Sequence, residues 1–349
     1  MARLAAARLR LLPLLLIASL LVASSALLTP VRPPAVKLCP LIPAREASEI
    51  VEPRAQELLA RIESVAIKVS ASISSEAVET TFARFPAPST RAPRPLFGRK
   101  AKKAPIVLLH GFDSSACEYR RLAPLLAEAV DRDVIVPDLL GWGFTRPPSD
   151  LASFGPEAKM DHLRSFIRQV CGSQPVVVVG ASLGGALAIN LAADTPSMVD
   201  RVVLIDAQGF IDGKGPSDLP IPLARLGVNV LKSTPLRMLA NILAYSDKKL
   251  ATLDAMRVGK LHCYTDFWER ASIDFLRSGG FSPSAKVPLV GQDTLVLWGR
   301  NDAILEPSTA DRFVETLPRC RLQWVEDCGH VPHLEQPALT ASYIADFLA

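Results

Sequence analysis

Short uninterrupted apolar runs alternate along this chain with longer segments whose apolar residues recur at helical spacing. The runs are Ile106–Leu109, Val134–Pro137, Val176–Val179, Val202–Ile205, Thr294–Trp298 and Arg321–Val325. Most lack a polar position on either side, the pattern of a strand buried on both faces. Helices are predicted between and after them, over Glu118–Ala129, Pro156–Val170, Ala186–Ala193, Ser308–Thr316 and the final stretch to Leu348. Strands separated by helices predict an α/β architecture, a mostly parallel, doubly wound sheet flanked by helices.

The rhythm breaks in two places. From Ala207 to Val290 the chain carries helical pieces rich in Leu, Met and aromatics, interrupted by Pro216, Pro220, Pro222, Pro235 and Pro283. This stretch reads as a helical cap inserted into the α/β unit. Ahead of Ile106, residues 46–64 predict an amphipathic helix with Ile50, Leu58, Leu59 and Ile62 on its apolar stripe. Val65–Ile73 and Val78–Phe85 predict edge strands, and residues 86–105, rich in proline and base, a solvated loop. The expected division is a targeting segment over 1–30, a partly disordered N-terminal extension and linker over 31–104, an α/β core over 105–206 and 291–349, and the cap over 207–290.

The first 30 residues change the picture of destination. Arg3, Arg8 and Arg10 precede an apolar stretch from Leu11 to Ala23, and Ser24-Ser25-Ala26 offers a small-residue cleavage site. This is the layout of a signal peptide. The uncharged run reaches Val31, so the same segment could serve as an uncleaved anchor and a route to membrane association. The acid-free stretch 27–45 could add an organellar, chloroplast-type signal behind it.

Charge and cysteine content exclude more than they assign. The net charge is +4, but six cations and no acid lie in the first 45 residues; without those six the body carries −2. The body is therefore no polyanion binder, and the basic loop lacks the interleaved aromatics of a nucleic-acid groove. The six cysteines form no C-x-x-C pair and no zinc-type cluster. Cys320 and Cys328 flank one predicted strand and would stand roughly 26 Å apart, too far to bridge.

The chemistry concentrates at Val176–Gly185, where a valine strand meets Gly180-Ala181-Ser182-Leu183-Gly184 and passes directly into a helix. A serine on so tight a turn sits in strained backbone. Gly180 and Gly184 at its flanks let strand and helix approach closely. Serine needs a base within reach, and the base needs a carboxylate to orient it. Ser182, Asp302 and His330 fall in the order serine, acid, histidine, each immediately after a predicted buried strand, which puts all three at the carboxyl edge of one sheet. Asp206, after its own strand, and Glu306, further along the Asp302 loop, are rival acids; Asp138 falls too early in the order. His110, His162, His262 and His333 read as structural. Trp142 and Phe144 are candidates for the substrate pocket, with a core role equally open.

These motifs resemble the α/β-hydrolase superfamily over residues 105–349: HGF at 110, GWGF at 141, GASLGG at 180, WGRND at 298 and CGH at 328. GWGF, GKLHC at 259–263 and SGG at 278–280 are similar to a plant and algal plastid-type subgroup. The resemblance implies Ser182 as nucleophile, His330 as general base and then acid, and Asp302 as orienting acid. It also implies an oxyanion hole built from the backbone N–H groups of Phe112 and Leu183, with His110 and Gly111 forming the turn that presents Phe112. No metal or organic cofactor is implied.

A serine nucleophile indicates acyl transfer rather than the alkyl-enzyme chemistry of an aspartate. The leading expectation is a serine hydrolase acting on a carboxylic ester, lipid or small and hydrophobic. Acyl transfer to an alcohol, or carbon–carbon bond hydrolysis, uses the same triad. A non-catalytic ligand-binding protein on the same fold is the expectation of another class.

Overall fold

The computed structural model describes residues 38–91, 103–214 and 218–349. The expected targeting segment, the start of the extension and most of the basic loop lie outside them. Eight strands form one sheet: β1 (Ile62–Ile67), β2 (Val78–Phe85), β3 (Ile106–Leu109), β4 (Val134–Pro137), β5 (Val176–Ala181), β6 (Val199–Ile205), β7 (Asp293–Gly299) and β8 (Cys320–Val325). Their order is β1-β2-β4-β3-β5-β6-β7-β8. β1 and β2 run antiparallel to their neighbours, and all pairs from β4 to β8 are parallel.

Side-chain alternation divides each central strand between two cores. Val176 and Val178 of β5 pack on one face with the helix Leu183–Asp194, while Val177 and Val179 pack on the other with the helix Leu122–Val130. A strand buried on both faces therefore reads as unbroken valine. The four-residue strand β3 is buried throughout, and it lies between β4 and β5.

The N-terminal region departs from expectation. Residues 31–104 hold more than an extension, because β1 and β2 belong to the central sheet and Phe82–Phe85 pair with Pro137–Val134. The helix expected over 46–64 is two short pieces, Ala44–Ala47 and Pro53–Leu59, followed at once by β1. Pro53 explains the break: the residue before a proline avoids helical backbone, and Glu52 is extended (φ −62°, ψ 116°). The expected strand over Val65–Ile73 accordingly begins and ends earlier. Ile50, Leu58, Leu59 and Ile62 are all buried, joining the core through tertiary packing rather than one helical stripe.

Between β6 and β7 the chain forms four helices of eight or more residues, Ile221–Lys232, Thr234–Ala244, Leu253–Lys260 and Trp268–Ser278. The first packs on the fourth and the second on the third. All six cysteines are free. Among the described residues no helix is long and apolar enough to cross a membrane.

Candidate active site

β5 ends at Ala181, and the helix Leu183–Asp194 begins one residue later. Ser182 between them has φ 51° and ψ −120°, a left-handed backbone that costs a non-glycine residue about 1–3 kcal/mol. Surrounding hydrogen bonds hold it there. Ser182 N donates to Ile205 O at 3.0 Å, and Ser182 O accepts from Gly185 N at 2.9 Å and Gln208 N at 2.8 Å. The flanking glycines are sterically required. A Cβ on Gly180 would stand 2.2 Å from Gly184 O, and one on Gly184 would stand 2.0 Å from Leu109 O. Leu183 opens the helix, so its N–H has no intrahelical acceptor and points with the positive end of the helix dipole.

His330 lies in the loop after β8 and Asp302 in the loop after β7, and the fold brings them together. His330 Nδ1 is 2.8 Å from Asp302 Oδ2. Asp302 Oδ1 accepts from the N–H groups of Ile304 at 2.7 Å and Leu305 at 3.0 Å. Burial opposes ionisation of Asp302, but the His330 contact and these two N–H groups outweigh it, and its carboxyl lies below the usual range. A carboxylate on Nδ1 holds the proton there and leaves Nε2 as the basic nitrogen. The His330 main chain is pinned as well, its N–H donating to Ala244 O at 2.7 Å. His330 and Ser182 line one cavity of about 330 Å³, together with Phe112, Ala240, Asn241 and Tyr245. Among the described residues no hydrogen bond yet joins Ser182 Oγ to His330 Nε2, a contact that commonly tightens only around bound substrate.

The rival acids separate clearly. Glu306 is exposed. Asp138 is buried at the end of β4, accepting from Ala116 N at 2.7 Å, Thr81 Oγ1 at 2.6 Å and Phe144 N at 3.0 Å, which makes it a brace between loops. Asp206 sits directly behind the pair: one carboxylate or imidazole atom from each of Asp206, Asp302 and His330 lies within 4.8 Å of the others. Its Oδ1 accepts from Gly299 N at 2.9 Å. Burial, then the adjacent Asp302 charge, push the Asp206 carboxyl far above its ordinary value. Asp206 therefore resists ionisation, whereas Asp302 favours it. A metal held by these three groups would have to displace the proton between His330 Nδ1 and Asp302 Oδ2.

On the opposite rim, His110 Nε2 accepts from Leu139 N at 3.1 Å, and its Nδ1 donates to Gly111 O at 2.9 Å. Burial lowers the His110 pKa to about 4, so it is a neutral brace. Gly111 N donates to Glu118, 3.1 Å to Oε2. Burial resists the charge on Glu118, but His333 beside it overcomes this and holds its pKa at about 2. The bracing leaves Phe112 at the cavity wall, its side chain 39% exposed. Among the described residues no backbone hydrogen bond outside the helices and strands engages the N–H of Phe112 or Leu183.

One expectation, a place for two aromatics in the pocket wall, needs correction. Trp142 and Phe144 do not border the cavity; they are 1% and 0% exposed. Trp142 instead backs Phe112, ring centroids 5.3 Å apart, and Phe144 packs in the sheet core. The loop after β4 turns them inward because Asp138 holds the Phe144 N–H. His162 is structural, its Nε2 2.7 Å from Thr80 Oγ1. His333 is buried beside Glu118, at 3.2 Å. His262 is buried as well, its Nε2 3.0 Å from Asp113 Oδ1. Glu118, Asp113 and Arg237 were missed by sequence reasoning. The one available signal was Asp113 itself, adjoining the HGF turn.

Comparison with known proteins agrees with this architecture. The model of the alpha/beta hydrolase family matches residues 106–343. The alpha/beta hydrolase domain-containing protein VTE7 of Arabidopsis thaliana is 38% identical over 255 residues, 70% of this chain and 74% of its own, in keeping with the plant-type resemblance. Lipase 1 of Psychrobacter immobilis is 27% identical over 66% of this chain and 72% of its own. The 2-hydroxymuconate semialdehyde hydrolase of Pseudomonas sp. strain CF600 is 28% identical over 70% and 87%. With the family model spanning most of its length, this chain belongs to the alpha/beta hydrolase family and is an enzyme of the hydrolase type.

Proposed function

We propose that this enzyme is a serine hydrolase that cleaves a carboxylic ester, lipid or otherwise hydrophobic, through an acyl-enzyme. The observation that carries the reading is the convergence on one cavity of Ser182, on its strained turn, and His330, whose Nδ1 is 2.8 Å from Asp302. In this reading His330 Nε2 takes the Ser182 hydroxyl proton as Oγ attacks the ester carbonyl. The carbonyl oxygen becomes an oxyanion facing the N–H groups of Phe112 and Leu183, each donor worth about 3–4 kcal/mol of transition-state stabilisation. Collapse expels the alcohol, which receives the proton from His330. Water, deprotonated by His330, then attacks the acyl-enzyme and releases the carboxylic acid and Ser182. Asp302 orients the imidazole and balances its positive charge, since it is the carboxylate that His330 Nδ1 meets at 2.8 Å.

The preference for an apolar substrate rests on the insertion. Ala240, Ala244, Tyr245 and Val258 contribute to the cavity lining. The neighbouring helix Ile221–Lys232 leaves Ile221, Leu223, Leu226 and Val230 exposed. Aliphatic side chains in such number beside a catalytic cavity favour substrates arriving from an apolar phase. The lipase relative fits this reading. A second reading, carbon–carbon bond hydrolysis by the same serine, is favoured by the semialdehyde hydrolase relative. The N-terminal segment, in our reading, directs the enzyme to a membrane-bounded compartment, and sequencing the N-terminus of the mature protein tests its removal.

A fluorophosphonate probe tests the nucleophile. Labelling of the wild type that is lost in Ser182→Ala is expected; labelling that persists in the variant would sink the assignment. A panel of acyl esters of graded chain length, run beside a vinylogous diketone, separates the two readings. Turnover of the diketone alone would replace the ester reading by the carbon–carbon one.

A further inference from the structure

The sequence motif GKLHC at 259–263 has no part in the chemistry above, yet the fold brings it to the back of the oxyanion turn. Asp113 immediately follows Phe112. It is 6% exposed, and its backbone is left-handed at φ 51°. Its carboxylate accepts three hydrogen bonds, all from the 207–290 insertion. Oδ1 receives His262 Nε2 at 3.0 Å and Trp268 Nε1 at 2.7 Å, and Oδ2 receives Arg237 Nη2. Arg237 Nη1 also donates to the main-chain oxygens of Asp113 and Gly259, each at 3.3 Å, and Nη2 contacts Cys263 Sγ at 3.0 Å. Three separate pieces of the insertion thus converge on one side chain: the helix Thr234–Ala244, the turn Leu261–Tyr264 and the helix Trp268–Ser278.

Asp113, His262 and Cys263 could by their donor atoms hold a metal. The Arg237 guanidinium already lies against both Asp113 and Cys263, so a cation occupies that position. Burial works against the charges on Asp113 and His262, and their mutual contact, with Arg237 and the Cys263 sulfur, overcomes it; Asp113 falls to about 2 and His262 rises to about 9. A buried, fully engaged carboxylate of this kind sets geometry strictly, because losing one partner leaves the others unpaired.

We propose that Asp113 is a positioning residue through which the insertion holds the oxyanion turn, so that Arg237, His262 and Trp268 together fix the direction of the Phe112 N–H. The insertion is then a working part of the catalytic frame as well as the wall of the substrate cavity. A donor displaced by about 1 Å loses about 100-fold in rate, so a small shift of this turn is enough to register. The inference rests on the serine-hydrolase reading, and the test keeps the two apart.

The measurement is kcat per active site, with active sites counted by fluorophosphonate labelling of the full chain, beside KM and Tm. Asp113→Asn is expected to lower kcat about 10- to 100-fold with KM changed by less than about threefold. His262→Gln, which keeps a side-chain donor, is expected to retain more kcat than His262→Leu. A role in stability alone would lower Tm and the active fraction while leaving kcat per active site untouched. Should Asp113→Asn fail to fold, Trp268→Phe, which removes one donor at nearly constant volume, is read by the same measure. Wild-type kcat per active site in the Asp113→Asn enzyme, or in Trp268→Phe if that is the one that folds, overturns the proposal. Absence of wild-type labelling overturns the serine-hydrolase reading instead, and with it the premise.

Discussion

The carboxyl edge of the sheet and the 207–290 insertion are built on opposite principles. At the edge, Ser182 and Asp302 follow strands whose residues are almost all buried, His330 follows the outermost strand β8, of which only Val325 is fully buried, and backbone hydrogen bonds set each turn. In the insertion, the helix Thr234–Ala244 buries none of its own side chains, and Ile221–Lys232 buries only Ala224 and Val228. Leu223 and Leu226 on that helix are 53% and 60% exposed. The central strands of the edge are held by apolar packing on two faces, whereas the helix Ile221–Lys232 reaches the core through Ala224 and Val228 alone and the helix Thr234–Ala244 is tied down by Arg237 on Asp113. Such a division lets the chemistry stay rigid while the surface that meets substrate tolerates change.

Removing the nucleophile strikes the edge hardest. Ser182→Ala is expected to lower turnover by about 10⁶ while leaving the cavity open to substrate, so binding measured by a non-hydrolysable ester should persist. Asp302→Asn should lower kcat by about 10⁴, through loss of the tautomer that leaves Nε2 basic; full activity in that variant would return the acid role to Asp206. Gly184→Ala tests the steric half of the edge. Its new Cβ would stand 2.0 Å from Leu109 O, and thermal denaturation should show a loss of about 3 kcal/mol or more, or no folded protein at all.

Asp206→Asn sharpens the same comparison with a smaller effect. An amide can accept from Gly299 N–H as the carboxyl does, so activity should stay within about tenfold of wild type. Its stability effect has a definite sign. The folded pKa is raised, so between the unfolded value near 4 and that raised value the native state binds more protons than the unfolded chain. Wild-type stability contributed by this group therefore falls as pH rises through that window. The Tm of Asp206→Asn minus that of wild type should grow as pH rises from 4; a difference independent of pH would show that Asp206 is ionised in the fold. The smallest stability change is expected in the insertion, where Leu223→Gln with Leu226→Gln should alter folding free energy by less than about 1 kcal/mol. If substrate reaches the cavity across that face, KM for a long-chain ester should rise with kcat unchanged.

Much of the edge was legible because its signals are local. A run of four valines, a glycine on either side of Ser182 and an immediate helix are neighbours in sequence, and each demand is steric. The acid was less legible: Asp206 and Asp302 both follow strands, and only the 2.8 Å contact of Asp302 with His330, and the opposite pull of their surroundings on the two carboxyls, separate them. Trp142 and Phe144 were misjudged because an aromatic near a glycine-rich loop carries no mark of the direction in which it points. The partner of His262 was illegible for the complementary reason, since Asp113 lies 149 residues away.

The amino-acid sequence by itself determined the α/β alternation, the strained turn at Ser182 and the order of serine, acid and histidine, because burial on two faces and close backbone approach constrain residue type locally. Only the tertiary structure decided that β1 and β2 extend the sheet, which carboxylate meets His330, and that the insertion grips the oxyanion turn through Asp113. Those outcomes depend on pairing between distant segments and on the fields that two buried acids and their hydrogen-bond partners exert on one another, and neither quantity is written in the neighbours of any one residue.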